Sequence, residues 1–574
     1  ASPGSFSLIA GRARDVSIES GVSVGRIVLT EWLDTDGEPD LLTAPTAGAL
    51  IVRGSRRDGV EGDFQANAQL GDADGPAGAL GVASIAGELR GDWNVTGDMG
   101  AVVGGEASDW SLTVGSRVGS LRFGQVTDGN VSVDGPVGAI VAAGWDGGAV
   151  SADTLGVLRV HGVGGSGDFT ADLTLEGADG AGPVLGRARV SGVLGPGQWQ
   201  AAGRAGAIVA GSVAAGWNGV IDGSLARVVS LGDFGGGLTA DSVGAVVVRG
   251  DLTNDLTAEE GGIGSVVVTG ELTADISAAG GTGVLRFGQV TGSTVSVDGR
   301  VGAIVAAGWD GGGGEAQTLG ALSVHAVGGS GDFAGDLSLT GGAGGGAVLG
   351  AASVTGTVGS GTWQVAGRAG RIVAGELAAG WQADVDGSLG QLVSLGDLGG
   401  AVEAASIGAI VVRGDVLENV TAESGGIGAV TATGSLRADI TAHGPLGRVS
   451  VGEDIEDSAV TVRGGRLGAV SVTGSIRRSL ISLQEDDSVP PVLSGRLGSV
   501  FAGGDFANST VRAEALGRVA VRGMITQDAT DGDADVIRAL EGSFLVTDGD
   551  EFGLIDDAAD QTFGGPDGVS AFVG

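Results

Sequence analysis

The chain has 574 residues, 118 of them Gly, and sets 69 acidic side chains against 31 basic ones for a formal charge of −38. That charge argues against nucleic acid, whose phosphates need a basic footprint, and against anionic membrane surfaces. Cys is absent and every basic residue is Arg, which excludes disulfide staples, thiolate metal sites and Lys-dependent cross-links. A hydrophobic content of 42% separates the chain from Gly-rich disordered linkers. No apolar run reaches the ~18 residues of a spanning helix. The opening Ala1-Ser2-Pro3 shows no charged and then apolar leader. This start fits either a cytosolic chain or a secreted mature form, and the second is the expectation because large Gly-rich solenoids are mainly secreted.

Residues 1–24 carry no clean repeat and are expected to cap the array or to dock another subunit. From residue 25 a block recurs: aliphatic, Gly, any, aliphatic, any, small or aliphatic, any, Gly. Val243–Gly250 and Ile407–Gly414 are two examples. Twenty-four such starts run from Gly25 to Gly517, with Ala226 as the one departure from Gly. Alternation of this kind has the period of a half-buried strand. A second strand is expected after the closing Gly, as in Asp251–Ala258, with the glycines at corners where positive φ costs them little.

A longer period overlies the short one. Gly119–Gly148 returns as Gly283–Gly312 with 25 of 30 positions identical, and a register of 164 residues relates 119–282 to 283–446. Coils of 18–20 residues that share one apolar face can bury it only on neighbouring coils. The expected fold is therefore all-β: one long parallel β-helix over 25–523, right-handed because its coil length varies. At ~4.8 Å per coil it would be a rod roughly 115 Å long. The coils starting at Gly48, Gly156, Gly320 and Gly468 are longer. Three of them share an Asp-Phe step (Asp63-Phe64, Asp168-Phe169, Asp332-Phe333), and the fourth holds the acidic loop Gln484–Pro491. After Gly523 the pattern stops, leaving 524–574 as an acidic segment that caps the open edge or docks to another copy.

Several residue sets are candidates for function. Ala-Ala-Gly-Trp occurs four times, at Trp145, Trp217, Trp309 and Trp381, and an exposed aromatic platform would suit sugar rings. The competing expectation is corner packing by the indole. Val209, Val229, Val247 and Val267, repeated as Val373, Val393 and Val411, stand at the outward third position of successive coils. They would form an apolar stripe for lateral association, unless loops cover it or β-branched residues merely suit strands.

Asp72-Ala73-Asp74, Asp531–Asp535 and Asp548–Glu551 are candidates for diffuse Ca²⁺ binding, although turn chemistry accounts for Asp-Gly equally well. Asp34–Gly37 begins like an EF-hand loop without its later Glu, and Gly164–Phe169 resembles half of a calcium-binding nonapeptide. No catalytic residue, cofactor site or defined metal site stands out. His161, His325 and His443 are too scattered for a metal triad, and a tandem duplication would duplicate any active site.

The array, with runs such as Ile427–Ala442 (IGAVTATGSLRADITA), resembles the Gly/Val-rich parallel β-helix repeats of planctomycete-type bacterial surface proteins. That resemblance implies secretion and a surface or adhesive role, and it carries no catalytic residue over. The expected function is a structural protomer of an extracellular filament or surface layer that self-assembles end to end. An adhesin or glycan-binding solenoid is the alternative, and a polysaccharide-active enzyme ranks behind both. The expected partners are further copies of the chain, with surface glycans in the alternative, and neither nucleic acid nor a membrane span.

Overall fold

A computed structural model describes residues 5–71, 78–177, 182–342, 345–485 and 492–526, with the strands Val536–Glu541, Phe544–Asp548, Glu551–Ile555 and Ser570–Val573. Every element among them is a β-strand. The chain divides into two units, Ala1–Thr282 and Gly283–Gly574, at the seam between the two copies of the long repeat. Each unit is a parallel β-solenoid. In the first, Asn130–Asp146, Ala149–Val160, Leu185–Leu194, Ala205–Val213, Asn218–Ser230 and Gly237–Val248 pair in succession, all parallel. In the second, Leu349–Val358, Ala369–Leu377, Trp381–Ser394, Ala401–Val412 and Ile427–Ala432 do the same.

The sequence alternation maps directly onto the core. Val246 and Val248 are buried and in register with Val266 and Val268, while Val247 between them stays part-exposed. Each inward aliphatic side chain contributes about 1.5–3 kcal/mol on leaving water, and it gains this only against the coils above and below. Ser230 and Ser394 interrupt the apolar fourth position, yet both are fully buried. Their hydroxyls donate to the carbonyls of Asp233 (2.8 Å) and Asp397 (2.7 Å), so the corner satisfies them.

Three sequence expectations need correction. First, the segment after the closing Gly is two short elements. Leu252 makes an isolated bridge to Phe234 and Leu272, and Leu256–Ala258 forms a separate strand. The exposed Thr253-Asn254-Asp255 turns the chain between them, so the coil has three sides. Second, the glycines that open the coils, such as Gly119, Gly206 and Gly370, do not adopt positive φ. A Cβ built on any of these three would come closer than 3.0 Å to the carbonyl oxygen of the glycine one coil below. Close stacking of backbone on backbone is what favours Gly there, with Ala226 the one coil opener that carries a Cβ.

Third, the terminal boundaries move outward. Phe6–Ile9, Arg12–Arg14 and Ile18–Glu19 pair parallel with Val24–Val28, Glu31–Leu33 and Leu42-Thr43, so the segment 1–24 already contains a coil. Beyond Gly523, Val536–Glu541 stacks on Thr510–Ala515 and Ser570–Val573 stacks on Val536–Ala539. Strands of two to six residues carry too little alternation to be read from sequence.

Candidate functional site

The tryptophans do not form a platform. Trp145, Trp217, Trp309 and Trp381 are at most 1% exposed. In the first unit ten rings from Trp32 to Phe234 touch in succession, with centroids 5.1–6.4 Å apart and mostly edge-to-face. The second unit stacks Phe287, Trp309, Phe333, Trp363 and Trp381 at 5.5–6.3 Å. Edge-to-face geometry sets the positive rim of one ring on the negative face of the next. The Asp-Phe phenylalanines Phe64, Phe169 and Phe333 are rungs of these ladders. Indole N–H groups of Trp145 and Trp309 donate to Gly147 O (3.1 Å) and Gly311 O (2.9 Å), which accounts for the recurring Trp-Asp-Gly-Gly.

Carboxylates have a structural use that the sequence reading missed. Asp233 Oδ1 accepts the backbone N–H of Asp251 (3.0 Å), and Asp251 Oδ1 accepts that of Glu271 (2.7 Å). In the second unit Asp397, Asp415 and Asp454 repeat the pattern toward Asp415, Ser435 and Ser475. Asp168, from the supposed calcium half-motif, accepts Val193 N–H at 2.6 Å. Each Asp thus bonds to the coil above, and the closing Gly of that coil leaves room for its oxygen. A Cβ on Gly250 would overlap Asp233 Oδ1, and one on Gly414 would overlap Asp397 Oδ1. The signal was in the sequence as an Asp one or two residues after closing glycines such as Gly232, Gly250, Gly396, Gly414 and Gly452, but turn chemistry hid it.

Among the described residues one group of three carboxylates gathers, Asp15, Asp34 and Asp36, with oxygens within 4.8 Å of one another. Both oxygens of Asp15 already accept from Thr35 N–H or Oγ1, and the Thr35 backbone N–H first of all holds its carboxyl below the ordinary value. Asp15 is thus occupied by Thr35 on the next coil, while Asp34 Oδ1 is shielded without a hydrogen-bond partner among the described residues. Asp72–Asp74 and Asp531–Asp535 lie outside the described residues, as do Gly549 and Asp550 and most of the loop Gln484–Pro491.

On the second unit's surface, Arg478 donates to both oxygens of Asp457 (2.6 and 2.8 Å) and to Glu456 (2.7 Å). The Arg478 hydrogen bond holds Asp457 below its ordinary value of 3.8. A depressed folded value means that the stabilisation is present above that ordinary value and is lost as pH falls through the folded one. Melting temperature should therefore drop on acidification from neutral pH to about pH 3. Arg478→Ala should show a smaller drop, and an equal one would remove Asp457 as a contributor.

The valines of each unit fall in register. Val209 pairs in register with Val229, Val229 with Val247 and Val247 with Val267, and in the second unit Val373, Val393 and Val411 are likewise in register. Val229 and Val393 are buried at 8%, and the other five are part-exposed, so each column is interrupted by a covered rung. The same face also carries arginines that the sequence reading did not single out. Arg159 and Arg189 continue the valine column one rung at a time, through Arg189↔Val209.

No protein-family model, curated protein or solved structure matches the chain. Its class rests on its own geometry, a parallel β-solenoid with a tandem duplication. Among the described residues no helix is long and apolar enough to cross a membrane.

Proposed function

We propose that the chain is a structural protomer of an extracellular filament or surface layer, joined to further copies through its terminal coils and laterally along the valine stripe. The observation that carries this reading is the edge strand Phe6–Ile9. It pairs on one side with Val24–Val28 and, among the described residues, has no strand on the other. Its apolar Phe6 and Ile9 are open to solvent, Ile9 at 77%. An unpaired parallel edge is a template for another chain, and head-to-tail contact of this kind propagates without closing.

Electron microscopy and light scattering of concentrated protein test it. The native chain should form filaments or sheets, and Phe6→Arg with Ile9→Arg should disperse them by placing charge on the edge. Native protein that stays monomeric at every concentration would sink the reading.

A further inference from the structure

The outward face of the repeat strands is sorted by charge. In the eight coils that start between residues 119 and 264, its first, third and fifth positions hold Arg122, Arg159, Arg187, Arg189, Arg227 and Arg249 and no carboxylate. That is a sharp departure for a chain with more than twice as many acidic as basic residues. Three of these arginines lie together. Arg159 is directly opposite Arg189 on the next parallel strand, and Arg187, opposite Val157, stands two residues earlier on the same face. Like charges facing each other across a strand pair are destabilising. Among the described residues no carboxylate pairs with any of the three. They line a cavity of about 350 Å³ with Val157, His161 and Ser191. His161 Nδ1 is shielded from solvent without a hydrogen-bond partner.

The duplication supplies an internal comparison. In the second copy the matching positions are Ser323, Ala351 and Ser353 on the same strand pair. There the retained His325 bonds to the Ser323 hydroxyl. The coil therefore folds without the arginines, and packing does not require them. Guanidinium forks are suited to bidentate contact with carboxylate or sulfate.

We propose that Arg159, Arg187 and Arg189 form an oxyanion site for one carboxylate or sulfate group of an acidic linear glycan lying along the stacking direction. Arg122 is two coils before Arg159 and Arg227 two coils after Arg187, so further cations stand about 10 Å away on either side. This spacing fits a polymer with regularly repeated acidic groups. Nucleic acid is disfavoured because no Phe, Tyr or Trp faces outward at these positions to stack successive bases. The inference is independent of whether the protein assembles.

The test uses the full chain and three probes in calorimetric titrations: inorganic sulfate, a sulfated octasaccharide and a uronate octasaccharide. One octasaccharide should bind far more tightly than sulfate, and which one does identifies the acidic group. Arg159→Ser with Arg187→Ala and Arg189→Ser installs the second copy's residues. This variant should weaken that binding at least about tenfold while circular dichroism and the melting curve stay native. The reverse set, Ser323→Arg with Ala351→Arg and Ser353→Arg, should add a second site. Equal binding by the native chain and the triple variant would overturn the proposal, as would no octasaccharide binding. Sulfate binding as tight as either octasaccharide would reduce the site to an adventitious ion only, and the glycan reading would fall.

Discussion

Gly206→Ala should separate two coils that the native chain holds in register. The added methyl would come closer than 3.0 Å to the Gly186 carbonyl oxygen, with the Leu185 carbonyl also within contact at 3.4 Å. Both obstacles are backbone, and Gly186 itself rests in the same way on Gly156. No side-chain rotation can relieve the overlap. The strand pair Leu185–Val190 with Ala205–Ala210 must open, losing ladder hydrogen bonds as well as packing. A cost of about 3 kcal/mol or more is expected. Gly237→Ala is the control, because its nearest neighbour is the flexible Asn218 side chain at 3.4 Å. It should stay within about 0.5 kcal/mol of native. Denaturant unfolding with hydrogen exchange over residues 185–213 measures both, and equal behaviour of the two variants would remove close stacking as the reason for the glycine repeat.

Truncating Trp363 to Ala should cost about 3–5 kcal/mol. The indole is fully buried, with Phe333 and Trp381 edge-to-face on either side, each 5.6 Å away. Its removal leaves a void bounded by coils whose spacing is fixed by their backbone ladders, so little collapse can fill it. Trp363→Phe should be much milder. The indole N–H has no acceptor among the described residues, and a phenyl ring keeps the aromatic contact. Because coils in a solenoid interact chiefly with their nearest neighbours, lost protection should centre on Gly361–Ser394 rather than spread through the unit. If Ala and Phe proved equally costly, the ring ladder would not be what holds the wide coils together.

Both effects assign the interior to packing. Asp168, from the motif that looked like half a calcium site, is taken up by an N–H group of the next coil, and the tryptophans that looked available for sugars fill the core. Outward on the repeat strands of the coils that start between 119 and 264, arginine stands among valine and small residues with no carboxylate.

The repeated Gly-x-aliphatic-x-small block by itself determined the strands, their register and the parallel stacking. A period-2 pattern of 18–20 residues has only neighbouring coils against which to bury its inward side, and the starts from Gly25 to Gly264 and from Gly283 to Gly517 indeed stack rung on rung. Contacts between coils decided the rest, because they join residues about twenty or more apart that no local pattern relates. Which side of a corner Trp145 takes depends on how wide the coil is. Whether Asp233 is free depends on the N–H of Asp251 above it. Arg159 and Arg187 become neighbours only when a long coil is laid down between them and closed.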